Sequence, residues 1–187
     1  MKKTIVFILA LALSIAACTN NNSASKETTK SATSLNTFDS KTTKNNGIIY
    51  ETYVNPRFGF SILYPSFLTP EPEPDNGDGR TFSNDNNEKI RVYAQYNVMD
   101  YSIEELQQMY ENTIDGTITY STQKNNWFVL SGVNSENNIY YMKTILSNGI
   151  EHTVLLTYPQ DKKQLYNEIV NRVTKSFRVG LEITYQE

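Results

Sequence analysis

The sequence predicts an α+β domain: an antiparallel β-sheet with at least two helices, an α+β sandwich. Three observations carry this prediction. Between residues 48 and 158, runs rich in β-branched and aromatic residues alternate with short Asn- and Gly-rich links. Two other stretches, 102–113 and 161–177, space their apolar residues at helical intervals instead. The patterned region, 47–187, has a length that can bury one ordinary core and so form a single domain.

Three segments follow in chain order. Residues 1–17 read as a signal peptide: Lys2 and Lys3 precede the apolar run Ile5–Leu13, and small residues follow. A transmembrane anchor needs ~20 apolar residues, and this run is much shorter. Ile15-Ala16-Ala17-Cys18 resembles the bacterial lipobox, which implies cleavage before Cys18 and a diacylglycerol on its thiol. Two or three acyl chains hold a protein stably on a membrane, because each buried methylene contributes about 0.8 kcal/mol. The partner expected first is therefore the membrane, through lipid (palmitate among it) on Cys18. Thr19 stands where an Asp would resemble an inner-membrane retention signal. Sorting to the outer membrane is expected if the host has one.

Residues 18–46 are expected to be the lipidated cysteine and a disordered tether. They are mostly Asn, Ser, Thr and Lys, with Leu35 and Phe38 the only large apolar side chains. Such a segment buries too little surface to offset its ordering entropy. As a flexible coil it spans on the order of 30 Å. Lys26, Lys30, Lys41 and Lys44 read as a solvated charge set.

The domain, 47–187, opens with a strand at Ile48–Val54, a turn at Asn55-Pro56-Arg57 and a strand over Phe58–Tyr64. Phe58, Phe60, Ile62 and Tyr64 share one face by period two, and Pro65 ends the strand because it has no N–H for the ladder. Residues 66–79 are expected to be irregular and acidic. Arg80–Ser83 and Glu88–Tyr96 form a hairpin across Asn84-Asp85-Asn86-Asn87. A helix over Ser102–Thr113 has a Ser102/Glu105 capping box and an apolar stripe of Ile103, Leu106, Met109 and Tyr110.

Thr117–Gln123, Trp127–Val133, Ile139–Leu146 and Ile150–Tyr158 then form a meander, since short turn-rich links join antiparallel neighbours. Trp127-Phe128-Val129-Leu130 is apolar on both faces and reads as a central strand. Asp161 is expected to cap a last helix, with Gln164 as its return cap and Leu165, Ile169, Val173 and Phe177 as the buried stripe.

Gly59-Phe60-Ser61-Ile62 with Tyr64-Pro65 resembles the PsbP-like family. Trp127, Ser131 and Gly132 in the meander and the helix end Ser176-Phe177 fit the same outline, over roughly residues 50–178. The namesakes are extrinsic proteins of photosystem II, and a Ran-binding nuclear transport factor shares the fold. The resemblance implies a central antiparallel β-sheet flanked by helices on both faces, an α/β/α sandwich. It supplies no positions for a photosystem metal or docking site, and fold does not carry function with it.

Composition narrows the function classes. The chain has 17 basic and 20 acidic side chains, and the signal peptide takes two lysines and no acid away. The mature chain is therefore acidic, which argues against nucleic acid as a partner. Cys18 is the only cysteine and His152 the only histidine. Neither a zinc site nor an intramolecular disulfide follows from that set, and no cofactor is expected. His152 shares a strand face with Ile150, Val154, Leu156 and Tyr158 and reads as a packed imidazole rather than a general base. No Gly-x-Ser-x-Gly elbow or phosphate-cradling glycine loop occurs.

Glu104 and Glu105 read as a capping turn facing the helix dipole. Glu71, Glu73, Asp75, Asp78 and Asp85 cluster in sequence. Asp75, Asp78 and Asp85 are weak calcium candidates, because Gly77 and Gly79 stand where a calcium loop supplies oxygen side chains. Thirteen tyrosines, with Trp127, suit either strand packing or a binding surface. The expected function is a non-catalytic binding or accessory module in the cell envelope, with an envelope protein as partner. The alternatives are an envelope hydrolase using acidic residues and a calcium-dependent binding protein.

Overall fold

The computed structural model describes residues 43–181. The signal peptide, Cys18 and the tether up to residue 42 lie outside the described residues, as do residues 182–187.

The described chain is built of antiparallel sheets with two helices, an α+β fold. A three-stranded sheet has the order β1 (Thr43–Asn45), β2 (Ile48–Asn55), β3 (Phe60–Pro65). The larger sheet contains β4 (Thr69–Pro70), β5 (Gly79–Ser83), β6 (Lys89–Tyr96), β7 (Thr117–Lys124), β8 (Trp127–Val133), β9 (Asn138–Ser147) and β10 (Ile150–Pro159). Its order is β4-β5-β6-β10-β9-β8-β7. Helix α1 (Ile103–Thr113) links β6 to β7, and α2 (Lys163–Ser176) follows β10.

Local chemistry explains most of these elements. Asn87, Asn125, Asn137 and Asn148 hold positive φ in the tight turns, where asparagine tolerates the left-handed conformation. The Ser102/Glu105 capping box is formed at the start of α1. Phe58, Phe60, Ile62 and Tyr64 are all buried, although the strand itself begins at Phe60 and Pro56–Gly59 is a turn.

Four expectations need correction. The folded part starts before residue 47, because β1 pairs with β2 across Asn46-Gly47. Both turn residues have positive φ (46° and 83°), the hairpin signature of an Asn-Gly pair, so Lys44 belongs to a strand and not to the tether. Strand β8 is next to the edge, and β10 is the central strand, since the meander continues from β10 onto β6. A 3-10 turn, Gln160–Lys162, precedes α2, whose N-cap is Lys162 with no side-chain cap bond, so Asp161 and Gln164 do not cap it. Finally, Leu165 is exposed and Tyr166 takes its place in the buried stripe with Ile169 and Val173. The Tyr166 ring stacks on Tyr158 at 4.1 Å, which fixes that phase of the helix.

Two apolar clusters divide the core. One joins the small sheet and α2 to Ile90, Val92, Ala94, Val154 and Leu156. The other joins α1 to Phe128, Leu130, Tyr140 and Met142, with Leu155 packed against it. Along β10 the side chains alternate between the two, as the period of a strand requires.

Candidate functional site

Strand register sets out the surface beside α1 as rows of facing residues. Leu130, Met142, Leu155, Arg91 and Thr81 form one row across β8, β9, β10, β6 and β5. Gly132, Tyr140, Thr157, Lys89 and Ser83 form the next. Each row runs from small or apolar residues to polar or charged ones. Helix α1 packs on the apolar end, where Ile103 and Leu106 are buried and Tyr110 lies 5.6 Å from the Phe128 ring. The β6 and β5 end, where Lys89 and Arg91 are exposed, is left open.

The uncovered part is a groove made of two adjoining depressions. The first, about 290 Å³, lies at the C-terminal end of α1 against Tyr93, Tyr140, Met142 and Leu155. The second, about 330 Å³, reaches over Thr81 and Lys89 to Glu71. Arg91, Leu155 and Thr157 line both.

Polar groups are sparse and specific here. Tyr140 is 3% exposed, and among the described residues its hydroxyl has no hydrogen-bond partner. Burial raises the pKa of that phenol, with Asp115 adding to the shift. The Asp115 carboxylate itself accepts bonds from the Ser135 hydroxyl (2.7 Å) and backbone N–H (3.3 Å). The Arg91 guanidinium lies over the Tyr93 ring, 5.4 Å from its centroid. Among the described residues the single ion pair is Arg80–Glu73, at 3.8 Å, so neither Arg91 nor Lys89 is charge-paired. Deeper in, the Glu151 carboxylate accepts from Gln95 (3.0 Å) and from Tyr110 (3.3 Å), whose own pKa burial raises further.

A larger depression, about 620 Å³, lies beside the end of α2 with Arg172, Lys175 and Arg178 on its wall. Lys175 in the last turn of α2, and Arg178 just beyond it, offset the helix dipole. Arg178 is bonded to the Lys175 carbonyl at 2.6 Å, and Glu168 is held by Asn46 at 2.7 Å. Arg172 lies earlier in α2, and its Nε has no hydrogen-bond partner among the described residues.

No family model matches the sequence, and no curated protein matches it. Among solved structures, the solution structure of cyanobacterial PsbP (CyanoP) from Synechocystis sp. PCC 6803 is similar. The match has a TM-score of 0.54 at 15% identity and covers 70% of this chain and 92% of that one. The fold is PsbP-like.

The residues singled out from sequence take mixed places in the PsbP-like domain. His152 is buried, with its ring edge against Phe60 at 5.9 Å, and burial lowers its pKa to about 4. Asp78 and Asp85 stand at opposite ends of β5 and do not converge, while Asp75 is exposed in the preceding loop. Among the described residues no group of three or more His, Cys, Asp or Glu could hold a metal ion. The acids of that loop bond within the fold instead: Glu73 to Tyr53 (3.0 Å), Glu71 to Ser83 (2.7 Å) and Asp78 to Asn76 (2.7 Å).

Glu105 closes the capping box and Glu104 accepts from Gln123 at 2.6 Å. Of the strand tyrosines, Tyr140 and Tyr158 are buried, Tyr96 and Tyr120 are exposed, and Tyr93 and Tyr141 lie between. Sequence reasoning did not find Arg91 or Leu155, and it placed Tyr140 only among strand aromatics. The alternation Lys89-Ile90-Arg91-Val92-Tyr93 was the available signal, and it marks only an outward face.

Proposed function

We propose that this chain is an accessory module of the bacterial cell envelope, anchored by lipid on Cys18. Its PsbP-like domain, layered as helix, sheet and helix, recognises a partner without catalysis. The observation that carries the binding role is the groove beside α1, with an apolar floor and two cations that have no ion pair among the described residues. The lipobox-like Ile15-Ala16-Ala17-Cys18 and the polar stretch behind it support tethering to a membrane, the outer one where the host has two.

A sugar hydrolase is the weaker reading. Such enzymes flank the scissile bond with two carboxylates, whereas each depression of the groove has one, Asp115 or Glu71.

The test has two parts. Cells fed labelled palmitate are expected to label the native protein and not Cys18→Ser; equal labelling would remove the anchor. Capture from solubilised envelope is expected to retain a protein on the native chain and lose it on Thr157→Arg, which fills the middle of the groove. Turnover of an envelope glycan that disappears in Asp115→Asn would replace this reading with the hydrolase.

A further inference from the structure

We propose that the groove takes a carboxylate carried on a small apolar body. The carboxylate sits at Arg91 and Lys89, and the body lies over Leu155 and Met142 against Tyr140. This deepens the reading above and rests on the groove being the recognition site.

Four features point to that chemistry. First, Tyr140 lines the first depression while its hydroxyl is sealed beneath the surface, so it is the ring that meets an occupant of the groove. Second, the register puts Met142, Leu155 and Arg91 side by side on neighbouring strands. Strands lie about 4.8 Å apart, so an apolar floor gives way to a cation within one strand spacing. A ligand that is apolar at one end and anionic at the other matches that step.

Third, the cations are free for it. Among the described residues Arg91 and Lys89 have no ion pair, and the Tyr93 ring supports the Arg91 guanidinium. Each depression has one acid, Asp115 in the first and Glu71 in the second, but Lys89 joins Arg91 only in the second, so the charged end is directed there. Fourth, the depression of about 290 Å³ is at the small end of ligand pockets, the size of a single ring or branched aliphatic group. The same chemistry occurs in a free organic acid and in the C-terminal residue of a polypeptide.

The test is calorimetric titration of the mature, lipidated chain in detergent. The probes are 3-phenylpropionate, 3-phenylpropionamide and acetyl-Ala-Ala-Phe with a free or an amidated carboxyl group. Each acid is expected to bind at least tenfold more tightly than its amide. Arg91→Gln is expected to abolish that difference. Tyr140→Phe, which keeps the ring and removes only the sealed hydroxyl, is expected to leave the preference for acid over amide unchanged.

Tighter binding of the peptide acid would assign a polypeptide C-terminus, and tighter binding of 3-phenylpropionate an organic acid; both support the proposal. Equal binding of acid and amide, no binding of any probe, or an acid preference that survives Arg91→Gln would overturn it. The titration needs no envelope partner, so a failed capture leaves this ligand class standing. A capture sensitive to Thr157→Arg alongside equal acid and amide binding would overturn the ligand class alone.

Discussion

Gly132 and Tyr140 face each other across β8 and β9, and a Cβ on Gly132 would lie 2.8 Å from the Tyr140 hydroxyl. The missing side chain makes room both for that phenol and for the Thr117 carbonyl of β7, which passes closer still. Gly132→Ala therefore overpacks the groove wall and the edge strand together. We expect a loss of about 1–3 kcal/mol in urea denaturation, with the environment of Tyr140 altered. A midpoint equal to that of the native protein would show that β7 yields freely.

Asn55 is fully buried and uses both ends of its side chain. Its amide donates to the Tyr53 hydroxyl (3.1 Å) and the Gly77 carbonyl (3.0 Å), and its carbonyl accepts from the Phe58 N–H (2.9 Å). It thereby joins the β2–β3 turn to the acidic loop. Asn55→Leu removes the partner of buried groups, each worth on the order of 1–3 kcal/mol when left open. Denaturation is expected to show at least the lower figure, and hydrogen exchange to rise at residues 73–78. Unchanged exchange there would mean the loop is held by Glu73 and Arg80 alone.

His152 supplies a pH signature. Its native pKa, about 4, lies below the ordinary value of 6.5 because burial penalises the charged ring. Between those values the unfolded chain binds the extra proton, so stability falls as pH drops from about 6.5 to 4 and then levels off. The full contribution is roughly 3 kcal/mol, from 1.36 kcal/mol per pH unit. Thermal midpoints measured from pH 7 to 4 are expected to fall more steeply for the native protein than for His152→Phe. Parallel curves would place a charged imidazole in the native state.

Calcium is expected to leave the thermal midpoint unchanged. A ligand at 100 times its dissociation constant raises stability by about 2.7 kcal/mol, so a built site would be visible. Asp78 and Asp85, separated by the length of β5, do not form one. A rise in the midpoint that Asp75→Asn and Asp78→Asn abolish would show that the loop closes around the ion.

Hairpins and the first helix were legible because their determinants are local. The asparagines with positive φ sit where polar dipeptides mark turns, and the Ser102/Glu105 box needs only four consecutive residues. Asn46-Gly47 was hidden by its neighbourhood, since a two-residue turn is weak evidence inside a polar stretch. The α2 stripe was misphased for a different reason. Leu165 and Tyr166 both fit a helical repeat, and the choice between them is made by Tyr158, which arrives from β10. The Gly59-Phe60-Ser61-Ile62 motif carries the family resemblance and fits strand chemistry. Its glycine also holds φ at +59° beneath the backbone of Leu181, whose N–H bonds to the Gly59 carbonyl at 2.8 Å.

By itself the sequence determined the α+β class, nearly every strand and both helices. Periodicity, caps and turn residues act over a few positions and need no distant partner. The tertiary structure alone decided that β6 pairs with β10, some sixty residues later, instead of the meander closing on itself. That pairing brings Arg91 beside Leu155 and leaves the face beyond α1 open, which creates the groove. Non-local register depends on the packing of whole faces against one another, and no short stretch of residues encodes it.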